Sequence, residues 1–298
     1  MKLPLKFLLL CFFLSSSYAP LKGKRIAILL SQRIPSYIEA LNGMKEDSQD
    51  AELFHYFLKG GKRGKESLEQ EISQKDFDCV ICIGASATRF AMSLDEGSHL
   101  ISCMTLYSPK KRDKSLHVLP YLPPAKALAK EWQSFEEARD ETRISTIWSH
   151  RSLENIVKDY ERDFQELGFD FKDIEVKSRK QISKAMKKVI EDSDCYLLLP
   201  EPLLLQEETL HHLFIELLQR GIPVITFSPS LVRAGALFGL HYPPKVLGKE
   251  AMALALELLQ QREGREGREG REGRDEVKAE LKLFINKKVL DYLGLERK

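Results

Sequence analysis

From residue 24 onward, short apolar runs alternate with longer amphipathic stretches, and this alternation constrains the fold more than any other feature of the sequence. The run Arg25 to Leu30 predicts a strand, Pro35 to Lys45 predicts a helix, and Phe77 to Ile83 predicts a second buried strand. Apolar runs of this length, separated by helices, are typical of a parallel sheet that helices cover on both faces. The sequence therefore predicts an α/β fold.

The same series of strands and helices occurs twice along the chain. The first series ends with a strand from His99 to Leu106. The second begins after Pro123-Pro124 with a helix to about Arg139, followed by a strand from Arg143 to Trp148. A chain of 298 residues exceeds the size of about 250 residues at which a single core stops growing. We therefore predict two Rossmann-like lobes with parallel sheets, joined by a hinge.

The first nineteen residues have the order of a secretory signal peptide. Lys2 and Lys6 precede an apolar run from Phe7 to Leu14, and small residues lead to Ala19, although Pro20 is an unfavourable neighbour for cleavage. The apolar run is too short to cross about 30 Å of hydrocarbon. We predict that residues 1–19 are a signal peptide and that the remainder is periplasmic or otherwise extracytoplasmic. A retained anchor and a lipid on Cys11 are the open alternatives.

The charge balance argues against a nucleic-acid partner. The chain has 46 basic and 44 acidic residues, which gives a formal net charge of +2. Binding to a phosphate backbone normally needs a sustained basic stripe, and the sequence has none. We expect a monomer that binds no nucleic acid.

Cys79 and Cys82 have the C-x-x-C spacing of many metal and redox sites. They belong to a predicted buried strand, in which residues three apart point to opposite faces and cannot hold one zinc ion. We therefore predict buried thiols and no metal site. A disulfide between Cys79 and Cys103 remains an alternative, which requires that the two strands bring these residues together.

Residues 262–273 consist of four copies of Arg-Glu-Gly, followed by Arg274. The segment has no apolar residue to bury, and its charges cancel. We predict that residues 262–274 form a flexible insert with no role in ligand binding.

Several segments, in the same order along the chain, carry a resemblance to a known family: Ile83 to Thr88 (IGASAT), Leu198-Leu199-Pro200, Gly221 to Ile225 (GIPVI), Leu231 to Ala236 (LVRAGA), and Ile285-Asn286 leading to Leu293-Gly294-Leu295. The chain resembles the ABC-transporter substrate-binding family whose characterised members bind aromatic amino acids. The resemblance implies a type I periplasmic-binding-protein fold, in which the chain crosses the hinge three times and the ligand lies between the lobes.

The family resemblance and the alternation of strands and helices together predict which residues form each lobe and what the protein does. We expect lobe 1 to contain residues 20–118 and 229–261, and lobe 2 to contain 119–228 and 275–298. The implied function is capture of a small molecule, an aromatic amino acid or another carboxylate, for delivery to an ABC permease. No cofactor is implied.

Candidate ligand contacts follow from the rule that ligands of open α/β sheets lie beyond the carboxyl ends of the strands. The turn from Gly84 to Thr88 offers backbone N–H groups and two hydroxyls to an anion, although Ser86 could merely cap a helix. Glu201 could receive a ligand ammonium group or lie in a solvated turn. The predicted contacts are Ser31, Gln32, Gly84, Ser86, Ala87, Thr88, Ser149, Glu201 and Ser228.

The sequence does not assemble a catalytic site. Gly84-x-Ser86 lacks the last glycine of a nucleophile elbow because Thr88 occupies its place, and no phosphate-binding loop motif occurs. We therefore predict a binding protein that is not an enzyme. The alternatives are an extracytoplasmic ligand sensor that reports to a membrane signalling partner and an α/β enzyme acting on a small metabolite.

Overall fold

The computed structural model describes residues 23–58, 62–94, 99–106, 116–135, 142–263 and 279–297. The predicted signal peptide and residues 264–274 of the predicted insert lie outside the described residues. The helix Pro244–Glu263 includes the first two residues of that insert. None of the helices in the described ranges is both long and apolar enough to cross a membrane.

The first sheet contains five parallel strands in the order β2-β1-β3-β4-β5. The strands are β1 (Arg25–Leu30), β2 (Glu52–Phe57), β3 (Cys79–Ile83), β4 (His99–Cys103) and β5 (Leu116–Val118). Three helices connect the first four strands: α1 (Pro35–Glu46), α2 (Lys62–Ser73) and α3 (Ala85–Ala91).

The second sheet has six strands in the order β11-β10-β9-β8-β6-β7, and only β11 is antiparallel to its neighbour. The strands are β6 (Arg143–Trp148), β7 (Asp170–Glu175), β8 (Cys195–Leu198), β9 (Val224–Thr226), β10 (Phe238–His241) and β11 (Lys282–Ile285). The helices after β5 are α4 (Ala125–Trp132), α5 (Glu154–Glu166), α6 (Ile182–Asp192), α7 (Glu207–Gln219), α8 (Pro229–Ala234), α9 (Pro244–Glu263) and α10 (Lys287–Leu293).

β1 from Ile26 onward and the whole of β3 are apolar, because both faces of these central strands are buried. On β1, Ile26 and Ile28 pack into one core of the first lobe, whereas Ala27 and Leu29 pack into the core on the opposite face. All four side chains are fully buried. The prediction of a parallel sheet covered on both faces is confirmed, and so is the two-sheet α/β architecture.

One part of the predicted domain division is wrong. The sequence predicts that residues 229–261 belong to lobe 1, but β10 within this range pairs with β9 and β11 in the second sheet. The later part, α9, does pack on the core of the first lobe. The chain therefore returns to the first lobe only after β10. The order of strands and helices in the sequence does not indicate where the chain changes from one sheet to the other.

Two strands also differ from the sequence-based expectations. The sequence pattern predicts a strand from Asp173 to Lys177, but β7 spans Asp170–Glu175, because it is an edge strand whose exposed positions accept polar residues. β5 was not predicted, since it has only three half-buried residues.

The cysteines behave as buried apolar residues. Cys79 and Cys82 are fully buried in cores on opposite faces of β3, which confirms the prediction of buried thiols. Cys103 lies opposite Ile83, four residues along the strand from Cys79. That offset corresponds to about 13 Å, well beyond the Cα separation of a disulfide, and both cysteines are free. Burial raises the pKa of both Cys79 and Cys103 to about 12, and at Cys79 the neighbouring Asp78 carboxylate adds to the effect. Both thiols therefore stay protonated.

Helices α1 and α9 cross at very close range. At the crossing, Gly43 of α1 lies against the backbone of Lys245, and Gly248 of α9 lies against the backbone of Ala40. Any Cβ atom at either glycine would overlap a carbonyl oxygen of the facing helix. The two glycines therefore set the position of α1, which begins just after the carboxyl end of β1.

Candidate functional site

Each sheet has a point at which the strand order changes direction. In the first lobe this point lies between β1 and β3, and in the second lobe it lies between β6 and β8. Crevices for ligands form at such points, beyond the carboxyl ends of the strands. Ser31 and Gly84 flank the crevice of the first lobe, and Ser149 and Glu201 flank that of the second.

In the first lobe, Ser31 closes the crevice by bonding to the segment after β3. Its backbone N–H donates to the Ile83 carbonyl at 3.0 Å, and its hydroxyl accepts a hydrogen bond from the Ala87 N–H at 2.9 Å. Ser31 thus supplies the cap of α3 from a neighbouring loop. Ser86, the predicted alternative cap, is instead exposed, and its hydroxyl accepts a hydrogen bond from Arg89 at 3.3 Å.

The Thr88 hydroxyl is buried and hydrogen-bonded within the first lobe. The Thr88 side chain is fully buried, and its hydroxyl donates to the Gly84 carbonyl at 3.1 Å. The same hydroxyl lies 2.5 Å from the Ser102 hydroxyl on β4. These hydrogen bonds tie α3 to β4 and disfavour a ligand role for the Thr88 hydroxyl, which stays a prediction.

Two tyrosines that the sequence reasoning did not single out lie beside this crevice. The Tyr37 hydroxyl lies directly against Gly84, at the place that a Cβ atom on Gly84 would occupy. Burial raises the pKa of Tyr37, and the Cys103 thiol adds to the effect. Burial also raises the pKa of Tyr121, and the nearby Tyr37 adds a smaller increase. Both phenols are therefore neutral near pH 7 and able to donate a hydrogen bond.

Tyr121 connects the edge of the first lobe with the edge of the second. It lies in the segment between β5 and α4 and packs on the core of the first lobe. Its ring is 6.1 Å from that of Phe227, at an interplanar angle of 62°, and Phe227 directly follows β9 in the second lobe. We call Tyr37, Tyr121 and Phe227 the aromatic cluster. Tyr37 could have been found from the sequence, because it lies in the first turn of the helix after the first strand.

In the second lobe, the carboxylate of Glu201 fills the crevice. Its exposed fraction is 0%. It accepts hydrogen bonds from the Ser149 N–H and hydroxyl, both at 2.7 Å, from the His150 N–H at 3.2 Å, and from the Leu203 N–H at 3.0 Å. The solvated turn is wrong, because Glu201 has no exposed surface. Contact with a ligand ammonium group stays a prediction, which these four hydrogen bonds disfavour. The carboxylate joins the loop after β6 to the loop after β8.

The other predicted residues keep an accessible position at the strand ends. Gln32 is exposed beside Ser31, and Ser149 and Ser228 are half-buried. The Ser228 hydroxyl lies 2.7 Å from that of Ser230. The structure therefore brings Ser31, Gly84, Ser86 and Ala87 together in one lobe and Ser149 and Glu201 in the other, with Ser228 next to Phe227. Ligand contact by these residues remains a prediction.

Two cavities in the second lobe lie away from the carboxyl ends of the central strands. One, of about 450 Å³, is lined by Arg143 and Asp170, which begin β6 and β7 and so lie at the amino ends of the strands. The other, of about 320 Å³, follows the edge strand β7. Neither is bordered by a predicted contact, and the candidate site remains at the carboxyl ends.

Gly84 is the position at which the crevice of the first lobe is most sensitive to substitution. Its φ is +87°, and an added Cβ would meet the Tyr37 hydroxyl and the Ser31 hydroxyl. We expect Gly84→Ala to lower the free energy of unfolding by about 1–2 kcal/mol, from backbone strain and a displaced Tyr37. Denaturant unfolding measures the loss. Gly294→Ala is the matched control, since Gly294 also has positive φ (+64°) but has open space around its Cα; an equal loss in both variants would exclude a role for Tyr37.

Solved structures with the same architecture cover nearly the whole chain. The ABC domain in complex with L-Trp from Streptococcus pneumonia has a TM-score of 0.61 at 14% identity, covering 92% of this chain and 95% of that one. A substrate-binding protein with adhesive properties from Clostridium difficile, in its ligand-free, open form, has a TM-score of 0.65 at 14% identity, covering 92% and 96%.

A transcriptional regulator also shares the architecture. The LacI regulator from Lactobacillus brevis has a TM-score of 0.54 at 16% identity and covers 79% of this chain and 93% of that one. No protein-family model and no curated protein sequence matches the chain. At such low identities the likeness concerns the fold alone. With two α/β lobes and the chain passing between them, this protein has the type I periplasmic-binding-protein fold.

Proposed function

We propose that this protein is an extracytoplasmic solute-binding protein that captures a small aromatic carboxylate between its lobes and delivers it to an ABC permease. The observation that carries the proposal is the aromatic cluster at the carboxyl edges of both sheets. A cleft ligand needs a few polar groups for orientation and apolar surface for affinity. Ser31 and the two phenols supply the first, and the rings supply the second.

The cluster also gives a physical reason for closure of the lobes. Tyr121 packs on the first lobe and contacts Phe227 of the second. A ligand that touches residues of both lobes binds the closed arrangement better than the open one and shifts the population toward it. A permease that recognises the closed arrangement would then receive only loaded protein.

The proposed role is binding without chemistry. At the strand ends, the carboxylate of Glu201 is held by four hydrogen bonds and the hydroxyl of Thr88 by two neighbours. Neither group is free to act on a substrate.

Since a regulator shares the fold, ligand sensing is the second candidate function. Both functions need the same cleft and differ in the partner that reads the closed lobes. Deletion of the gene should abolish uptake of the ligand if the protein delivers it. Unchanged uptake, together with an altered transcriptional response to the ligand, would instead support the sensor.

Removal of one ring from the aromatic cluster tests the cleft. In a thermal-unfolding screen of amino acids, aromatic carboxylates, sugars and nucleosides, we expect an aromatic carboxylate to stabilise the protein by about 2.7 kcal/mol at a hundred times its Kd. Tyr121→Ala should weaken the binding of that ligand at least tenfold, because a stacked aromatic contact and its buried area are lost. The measurement is calorimetric titration.

Tyr292→Ala is the matched control, since Tyr292 on α10 is 64% exposed and lies outside the cluster. This variant should bind like the wild type. A ligand that binds equally well to both variants would place the site elsewhere.

A further inference from the structure

The acid at the edge of the second lobe is unavailable to a ligand. Glu201 has no exposed surface, and both of its oxygens accept hydrogen bonds from the protein. A ligand ammonium group normally needs an accessible carboxylate or several carbonyl oxygens, because an unpaired charge in a closed cleft is costly. In the described loops that follow the strands at this edge, Glu201 is the only acidic residue.

Some of the acidic side chains just beyond these loops form ion pairs with basic residues. Glu154, which begins α5, is paired with Lys158 at 2.9 Å, and Glu208, in the first turn of α7, is paired with Arg179 at 3.2 Å. Glu207 is exposed beside Glu208. Glu154, Glu207 and Glu208 lie on helices, outside the crevices between neighbouring strands. Glu175, the last residue of β7, is exposed at this edge, but β7 is the edge strand, and β6 separates it from the crevice between β6 and β8.

Exposed basic side chains lie in the loops at the same edge in both lobes, and one more, Arg89, lies on α3, which begins at this edge. In the first lobe, the Arg33 guanidinium lies 5.7 Å from the centre of the Phe57 ring, and Arg89 donates to the Ser86 hydroxyl. In the second lobe, Arg151 and Lys177 are exposed in the loops after β6 and β7. Clefts lined by one sign of charge attract ligands of the opposite sign.

From this asymmetry we infer that the ligand is an aromatic carboxylate that carries no ammonium group, in contrast to an aromatic amino acid. The inference rests on the proposed function and narrows its ligand class. The rings of the aromatic cluster hold the apolar part of the ligand, and the basic rim, formed by Arg33, Arg89, Arg151 and Lys177, holds its anionic end. The buried Glu201 offers no partner to a cationic group.

Pairs of ligands that differ only in the ammonium group test the inference. We would titrate the full-length wild-type protein with L-tryptophan and indole-3-propionate, and with L-tyrosine and 3-(4-hydroxyphenyl)propionate. The deaminated acid of at least one pair is expected to bind ten or more times tighter than its amino acid. Indole-3-propionamide should bind weakly, because it keeps the ring and loses the charge.

The basic rim is tested in the same titration. Arg89→Gln should weaken the binding of the acid several-fold and reduce its dependence on salt concentration. Lys187→Gln removes an equally exposed positive charge from the middle of α6 and should leave binding unchanged.

The outcomes separate the inference from the proposed function. If an amino acid binds as tightly as its deaminated partner or tighter, the inference is overturned and the solute-binding function stands. If no aromatic ligand of either kind binds to the folded protein, both are overturned. Equal effects of Arg89→Gln and Lys187→Gln would contradict the role of the rim.

Discussion

Gly248→Ala is expected to lower the free energy of unfolding by about 3–4 kcal/mol, a larger loss than that expected for Gly84→Ala. The added Cβ would overlap the Ala40 carbonyl oxygen and would lie 2.7 Å from the carbonyl carbon of that residue. Both obstacles are backbone atoms inside a helix and cannot rotate away. Relief requires that α1 and α9 move apart, which opens the core between them.

The sign of this effect is diagnostic. Helix propensity alone predicts that Gly→Ala in a helix stabilises by about 1 kcal/mol, so a measured gain would refute the close crossing. Denaturant unfolding of Gly248→Ala and Gly43→Ala gives both losses. The double variant should lose less than the sum, because the first substitution already separates the helices.

A functional consequence follows from the same geometry. Because α1 carries Tyr37 in its first turn, a displaced α1 shifts the Tyr37 hydroxyl away from Gly84. We expect the variant to bind the ligand more weakly at temperatures where it is still folded. The glycine crossing therefore connects packing far from the cleft to the shape of the cleft.

Much of the fold could be predicted from the pattern of the sequence. β1 and β6 have the predicted bounds. β1 is apolar from Ile26 onward and is buried on both faces, whereas β6 also contains the buried polar residues Ser145 and Thr146. The membership of β10 could not be predicted, since its four residues look like those of any buried strand. Which sheet a strand joins depends on its long-range pairing, and local periodicity contains no information about that partner.

The positions of the candidate ligand contacts could be predicted as far as the edge of the sheet, but their hydrogen bonds could not. The rule for parallel sheets located Ser31, Gly84, Ser149 and Glu201 correctly beside the two crevices. It could not tell that Glu201 is buried, because two flanking prolines are equally compatible with a solvated turn. It also missed Tyr121, whose role depends on a contact with Phe227 more than a hundred residues away.

Glu201→Ala is expected to lower the free energy of unfolding by about 3 kcal/mol. The change leaves three backbone N–H groups and the Ser149 hydroxyl without their buried acceptor, and each unsatisfied donor costs about 1–3 kcal/mol before the loops relax. Glu201→Gln should lose less, because the amide keeps one oxygen and the Ser149 hydroxyl can reverse its hydrogen bond.

The control is Glu208→Ala, which removes an acid of the same charge from an exposed ion pair with Arg179. Exposed pairs of this kind contribute little to stability, so its unfolding midpoint should match the wild type. Hydrogen exchange adds a local readout: Glu201→Ala should speed exchange at the Ser149 and Leu203 amides, whereas Glu208→Ala should not. Equal exchange rates in both variants would mean that the carboxylate does not hold the two loops together, and Glu201 would again become a candidate partner for a ligand ammonium group.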